Sequence, residues 1–478
     1  MGRGFIGRSG EIGLLQKRLT RAMDQGDGTA ITLRGRRQVG KSRLVQEFCD
    51  RSNVPYFYFT AIKGAGVSES VRRFCAELRE ADITENPDSV PLLESGNWHE
   101  ALQLLASAIS DRPAIVVLDE VPWLTEADST FDASLQVVWD RQLASQPVLL
   151  CLLGSDLHMM ERLTAYDRPF YGRADNLSLG PFHPAETAAA TKLPAADALE
   201  AHLVSGGMPG IIRHWPHETT TEQFLWEESV DPASPLFSIP ESSLLSEFPL
   251  PDTSRAVLEA IGAGNRTVAN IASDAGGRES LASGTLTPLL RKLVTQKRVI
   301  TRRPPLSTRP GKPTLFAIAD SNLSFFLHVG RSAQELARRG HGQQAFSLMQ
   351  RRLSAWYGNA IEPLVRQSVE LAAHAGLLPW PEVRHVGGWW NRKFDPEIDL
   401  VGADRTPVAN RVPFVGSIKW LGSAFDRHDV AQLRRGAQAV PGFSVPEGGL
   451  MAISRSGFDV DSSDLLCWGP DEVIEVWQ

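Results

Sequence analysis

Two hydrophobic rhythms alternate along the chain. Short continuous apolar runs occur at 29–34, 55–60, 114–118 and 148–153, and residues 43–48 carry apolar positions at helical spacing. Runs without a polar alternate face belong to parallel strands buried on both sides. The first part of the chain is therefore expected to be a parallel-sheet α/β unit. Between 216 and 251, Pro232, Pro235, Pro240 and Pro249 interrupt the pattern, which predicts a loop-like linker. Periodicity then returns at 255–261, 268–273 and 281–297. In the third of these segments Thr285 serves the helix start, and Leu286, Leu289, Leu290 and Leu293 share one face. Runs at 299–301 and 314–318 flank a Pro-rich turn and predict a two-stranded wing, so the three helices and ribbon read as a winged helix-turn-helix. A helical stretch ending at 356–362 precedes two further strand patterns, at 395–401 and 413–420.

Chemistry enters at the end of the first run. Gly35, Arg36, Arg37, Gln38, Val39, Gly40, Lys41 and Ser42 spell G-x-x-x-x-G-K-S between a strand and a helix, the context a phosphate-binding loop requires. Glycines let the backbone wrap phosphate oxygens, and the N–H groups at the helix start, with Arg43 in its first turn, face the anion. Lys41 is placed to reach the β- and γ-phosphates, and the Ser42 hydroxyl to bind Mg2+. The run at 114–118 delivers Asp119 and Glu120 to the sheet edge where ligands bind in open α/β folds. Asp119 suits the Mg2+ shell, and Glu120 suits orienting or deprotonating the attacking water. Ser155, after the run at 148–153, lies where a γ-phosphate sensor would sit, or simply ends the strand. ATP and Mg2+ are the expected ligands.

These motifs, in this order, resemble the archaeal-type P-loop ATPases of the STAND/AAA+ branch. The resemblance rests on Phe5, Ile6, Gly7 and Arg8 with Glu11, Leu14 and Leu15, on the phosphate loop, and on the segment 118–124. It extends to Tyr171, Gly172 and Arg173, to 177–182, and to Gly206, Gly207, Met208 and Pro209. It implies adenine contacts around Phe5 to Arg8 and a helical lid joined at the Gly206 turn. It also implies a role for Arg173 in sensing or stabilising γ-phosphate charge, in cis or from a neighbouring subunit, with a surface ion pair as the alternative. No repeat of 20–50 residues is visible, so the solenoid sensor of larger STAND proteins is not expected.

The C-terminal part resembles PD-(D/E)xK nucleases, in which an aspartate on one strand and Glu-x-Lys on the next gather a metal. Glu362 matches the helix glutamate, Asp399 the strand aspartate and Lys419 the lysine, but Ser417 stands where the acidic residue belongs. Serine is a poor Mg2+ ligand beside a carboxylate. Glu397 shares the face of Asp399 but lies about 6 to 7 Å away along the strand. A nuclease-like fold with weak or absent cleavage is therefore expected. Trp389, Trp390, Trp420 and Trp468 read as core or interface aromatics.

Bulk properties narrow the rest. A chain of 478 residues implies two to four domains, expected at 1–185 (P-loop ATPase), 186–250 (lid and linker), 251–328 (winged helix) and 329–478 (nuclease-like). The overall fold class is multidomain α/β. Net charge is −7, yet the segment 281–316 holds Arg291, Lys292, Lys297, Arg298, Arg302, Arg303, Arg309 and Lys312 and no acidic residue. Such a patch suits DNA phosphates, with protein contact as the alternative. Cys49, Cys75, Cys151 and Cys467 lack metal spacing and read as free thiols. His183, His202, His214 and His217 likewise share no metal spacing. No apolar run reaches the roughly 18 residues of a membrane span, and the cytoplasm is the expected location. The expected function is an ATP-binding and hydrolysing switch that couples nucleotide state to the winged-helix and nuclease-like segments and contacts DNA. Two alternatives stand beside it: a nucleotide-gated protein-interaction scaffold, and a metal-dependent DNA-cleaving effector. Self-association is left open.

Overall fold

The computed structural model describes residues 5–91, 93, 96–109, 112–247, 253–311, 313–444, 447–460 and 463–478. Pro249 and Lys312, which figured in the linker and basic-patch readings, lie outside the described residues. The chain divides into two compact units, Met1–Pro181 and Phe182–Gln478.

The first unit is built on a five-stranded sheet of β1 (Thr29–Arg34), β2 (Tyr56–Thr60), β3 (Ala114–Asp119), β4 (Val148–Gly154) and β5 (Ala174–Ser178). Its order is β2-β3-β4-β1-β5, with every neighbouring pair parallel. Parallel neighbours need crossovers, which the helices Lys41–Ser52, Val67–Arg79, Trp98–Ile109, Phe131–Arg141 and Leu157–Leu163 help supply. Every residue of β3 and β4 is buried, as continuous apolar runs require. One face packs through edge-to-face aromatics: Phe59 on Phe74 at 5.1 Å, Phe74 on Trp98 at 5.5 Å and Trp98 on Phe131 at 5.3 Å. Because β4 lies between β1 and β3, the loops following all three open at one sheet edge.

The second unit begins with the helices Pro184–Thr191, Ala195–Ser205, Pro209–Ile212, Thr221–Ser229 and Pro235–Glu247. The last two correct the loop-like reading of 216–251. Pro235 occupies the first helical position, where its missing N–H costs nothing. Pro240 sits inside the same helix, whose Leu236, Phe237, Ile239 and Leu244 are buried. Apolar packing thus offsets the single lost backbone bond. Gly206 and Gly207 make the turn after Ser205 with φ of 62° and 66°. A side chain on Gly207 would collide with the Phe182 carbonyl oxygen.

Three helices follow, Thr253–Gly262, Val268–Ala275 and Ser283–Thr295, then an antiparallel ribbon of β6 (Ile300–Arg303) and β7 (Leu315–Ile318). The third helix is shorter at both ends than its periodicity suggests, and it tolerates Pro288 in its interior. Ser321–Phe325, a π turn at Phe326–Gly330 and Arg331–Arg338 lead to the long helix Gly342–His374. A mixed sheet of β8 (His385–Trp390), β9 (Glu397–Ala403), β10 (Phe414–Lys419), β12 (Gly449–Ser454) and β14 (Leu465–Trp468) closes the unit, ordered β14-β12-β10-β9-β8. A short parallel pair, β11 (Phe425–Asp426) with β13 (Phe458–Asp459), stands beside it. The helix Arg427–Ala437 lies in the chain between the parallel neighbours β10 and β12. Trp389, Trp390, Trp420 and Trp468 are buried.

The loop joining β6 to β7 is not a free tip. Leu306 belongs to the apolar cluster of Trp389, Ile398, Val401 and Val415. Its N–H donates to the Gly388 carbonyl at 2.8 Å, the Ala409 N–H to the Ser307 carbonyl at 3.0 Å, and the Trp390 indole N–H to the Pro313 carbonyl at 2.7 Å. Leu306→Ala is expected to cost about 2–4 kcal/mol in urea denaturation, as a core truncation does. Arg309→Ala, at an exposed position three residues on, is expected to stay within about 0.5 kcal/mol of wild type.

Candidate functional site

The phosphate loop joins β1 to the helix Lys41–Ser52, and its backbone visits conformations that side chains rarely adopt: φ is 65° at Gln38 and 91° at Gly40. Gly35 has no room for a side chain, since a Cβ there would meet the Leu179 carbonyl oxygen. Val39 is buried, whereas Arg37 and Gln38 are exposed. Exposed Arg43 pairs with Glu47 at 2.9 Å. Lys41, 6% exposed, donates to the carbonyls of Gly35 at 2.8 Å and Arg36 at 3.2 Å. Burial pulls its ammonium below the usual lysine range, partly offset by the charges of Glu120 and Asp119.

Asp119 is 3% exposed and fully engaged. Its Oδ2 accepts from the Ser42 hydroxyl at 2.6 Å and from the Tyr58 hydroxyl at 2.8 Å, and its Oδ1 accepts from the Glu120 N–H at 2.9 Å. Burial and the adjacent Asp119 charge raise the Tyr58 phenol well above its usual range, so it remains a donor. Glu120 itself is left-handed, with φ 57°. Both of its carboxylate oxygens accept from the Ser155 hydroxyl at 2.9 Å, and Oε2 also from the Ser155 N–H at 3.4 Å. Ser42, Asp119, Glu120 and Ser155 are thus linked by hydrogen bonds at one sheet edge, while Lys41 is held by the loop carbonyls. Tyr58 escaped the sequence reading. Its signal lay in β2, where Tyr56 and Tyr58 alternate with buried Phe57 and Phe59, but only the β2–β3 register, Thr60 beside Asp119, makes it informative.

The flanking candidates are placed differently. Arg8 is buried with φ 62°, bonding Glu11 at 3.0 Å, the Val39 carbonyl at 3.2 Å and the Gly180 carbonyl at 2.7 Å. It therefore ties the N-terminal helix Ser9–Gln25 to the phosphate loop. The Arg51 guanidinium lies over the Phe5 ring, 5.4 Å from its centroid. Arg173 holds Asp140 through two bonds of 2.7 Å and also donates to the carbonyls of Pro169 and Tyr171. None of these bonds reaches the phosphate loop.

The C-terminal candidates do not converge as a metal centre. Asp399 Oδ2 accepts from the Ser417 hydroxyl at 2.9 Å and the Ile418 N–H at 2.8 Å. Lys419 turns instead to Asp429 at 2.6 Å and the Ala424 carbonyl at 2.9 Å. Glu362 pairs with Arg366 at 2.8 Å, and Glu397 with Arg266 at 3.3 Å. Burial pushes Glu362 up to about 7 against the pull of Arg366, and burial likewise raises Asp399. Burial lowers Arg303 to about 10, with Arg366, Glu362 and Arg266 as charged neighbours. Among the described residues, no three His, Cys, Asp or Glu side chains are grouped to hold a metal, and no helix is long and apolar enough to cross a membrane.

Gly35→Ala tests the loop's close packing. The added Cβ meets backbone, so a loss of about 1–3 kcal/mol is expected in denaturation. Gly180→Ala, with open space around it, serves as the control and should lie near wild type.

Residues 4–150 match the AAA ATPase domain family. An uncharacterized protein of Methanocaldococcus jannaschii is 23% identical over 409 residues, spanning 83% of this chain and 84% of its own. A Walker-type ATPase of Pyrococcus abyssi aligns in structure over 68% of this chain and 96% of its own, at 18% identity and a TM-score of 0.44. The ORC2 protein of Aeropyrum pernix, in ADPNP–ADP complexes, aligns over 72% and 96%, at 13% identity and a TM-score of 0.46. The stretch similar to AAA ATPase domains thus takes in the phosphate loop, Asp119 and Glu120.

Proposed function

We propose that the protein is an ATP-driven switch. Its N-terminal unit binds and hydrolyses ATP, and nucleotide state changes how a winged-helix segment (251–328) and a nuclease-like sheet segment (329–478) meet DNA, with 186–250 acting as a lid. The observation that carries this reading is the linkage of Ser42, Asp119, Glu120 and Ser155 at one edge of the sheet, with Lys41 held by the loop carbonyls of Gly35 and Arg36.

Lys41 exchanges the Gly35 and Arg36 carbonyls for phosphate oxygens, a trade that keeps its buried charge solvated by acceptors. The Ser42 hydroxyl and Asp119 carboxylate are hard oxygens already 2.6 Å apart, and they fit Mg2+. Bound there, the ion neutralises charge on the phosphates. Tyr58 keeps the Asp119 carboxylate oriented throughout, and Glu120 receives the proton of, or orients, the attacking water. In the present arrangement Ser155 holds Glu120, so turnover requires that pair to loosen, which frees the Ser155 hydroxyl for the γ-phosphate. A contribution from Arg173 requires its Asp140 pair to open. Phe5 and Arg8 are proposed for adenine, Arg8 being tied to the loop through the Val39 carbonyl.

The DNA-facing surface is carried by Arg291, Lys292, Arg298 and Arg302, all exposed on or just after the helix Ser283–Thr295. Burial of the β6–β7 loop supports a second reading, in which these segments bind protein, because a winged module usually keeps that loop available to nucleic acid. Strand cleavage has no support from the pairing of Asp399 and Lys419.

Steady-state ATP hydrolysis with Mg2+ tests the proposal. Lys41→Ala should abolish turnover, and wild-type activity in that variant overturns the site. Glu120→Gln should still bind ATP while slowing turnover about 100-fold or more. Tyr58→Phe should raise the half-saturating Mg2+ concentration about fivefold, the value of one hydrogen bond. Duplex DNA should stimulate turnover in a way that fades as salt rises. Replacing Arg298 and Arg302 with alanine should reduce the salt slope of DNA binding by about 2. Turnover indifferent to DNA favours the protein-binding reading.

A further inference from the structure

We propose that the carboxylate centre of the C-terminal sheet is a guanidinium clamp: Arg266, Arg303 and Arg366 stand among Glu362, Glu397 and Asp399 where a nuclease of similar fold would hold a divalent cation. The clamp fastens the three-helix and ribbon segment to the sheet. It depends on neither ATP turnover nor DNA binding.

The six side chains come from four places in the sequence. Arg266 precedes the helix Val268–Ala275, Arg303 ends β6, Glu362 and Arg366 lie one turn apart on Gly342–His374, and Glu397 and Asp399 share a face of β9. Three guanidinium groups meet three carboxyl groups, so the acids have cationic partners without a metal. Arg366 is the hub. Its Nη2 bonds Glu362 at 2.8 Å and its Nε bonds the Asp399 backbone carbonyl at 2.7 Å, with only 11% of the arginine side chain and 15% of the glutamate exposed. Arg266 reaches Glu397 across 131 positions of sequence, and its backbone carbonyl accepts from the Phe316 N–H of β7 at 2.8 Å. One residue therefore touches both the ribbon and the sheet. Arg303 adds a charge beside Glu362 from the opposite strand of the ribbon. Next to it, Leu306 inserts into the sheet's apolar cluster, so charge pairing and apolar packing act at the same junction.

The donor set does not suit a hard cation. Asp399 Oδ2 is occupied by two donors from β10, one of them the serine that replaces an expected carboxylate, and Lys419 points to Asp429. A cation entering here would strip half-buried guanidinium groups of their counterions, and breaking such pairs is costly. Arginine suits the task because its planar, permanently charged group bonds several carboxylates and carbonyls at once.

Two measurements on the full chain test the clamp. The first titrates nucleotide-free Asp119→Asn protein with Mn2+, which removes the N-terminal carboxylate ligand and leaves the C-terminal centre intact. No saturable site is expected up to about 0.1 mM Mn2+, a concentration within the range of dissociation constants that carboxylate-built cation sites span. Saturable binding that disappears on adding Asp399→Asn overturns the proposal. The second follows amide hydrogen exchange in β6 and β7. Arg266→Glu should accelerate it about tenfold, and combining Arg266→Glu with Glu397→Arg should return it toward wild type, a recovery that mere damage to the fold would not give. Arg303→Met, which keeps the aliphatic stem, should accelerate it as well. Unchanged exchange in both Arg266→Glu and Arg303→Met overturns the clamp.

Discussion

A carboxylate that is 3% exposed must find donors or go uncharged, and the N-terminal unit is arranged so that Asp119 finds three. They come from the helix after the phosphate loop, from β2 and from the adjoining backbone. No two of these are close in sequence except the last. They meet because β3 has β2 on one side and β4 on the other, with β1 beyond. Placing β4 between the loop strand and the acidic strand also brings Ser155 to Glu120. Strand order and site chemistry are thus tied together: β2 beside β3 brings Tyr58 to Asp119, and β4 beside β3 brings Ser155 to Glu120.

The residues proposed for the N-terminal site can be named from sequence because their signals are local. Eight consecutive residues specify the phosphate loop, and two apolar runs deliver Asp119 and Ser155 to the same edge. What the sequence withheld were pairings between distant segments. Tyr58 looks like one more strand aromatic until β2 is laid beside β3. For Arg173 a phosphate sensor and a surface ion pair both read from sequence, but its bidentate partner Asp140, thirty-three positions earlier, has no local trace.

Proline was the misleading signal in the second unit. Pro235, Pro240, Pro288 and Pro363 all lie within helices. One sits at a first turn, and the others are accommodated in helices that also bury apolar residues. The nuclease-like pattern misled in another way. Its residues fall at the expected positions along helix and strand, but spacing cannot reveal that Ser417 becomes a donor to Asp399 or that arginines from 266 and 303 come to stand beside the acids. The basic excess of 281–316 is accordingly uneven: Arg291, Lys292, Arg298, Arg302 and Arg309 are exposed, whereas Arg303 is directed inward.

The buried loop between β6 and β7 has a practical corollary for dissecting the chain. A cut near 328 looks natural, since one recognisable segment ends there and another begins. A fragment ending there would expose Leu306 and split three backbone bonds, from Leu306 N–H to the Gly388 carbonyl, Thr308 N–H to the Pro441 carbonyl and Ala409 N–H to the Ser307 carbonyl. The two pieces would be sticky halves of one body, and solubility or aggregation of such a fragment would report the cut rather than the biology of either part.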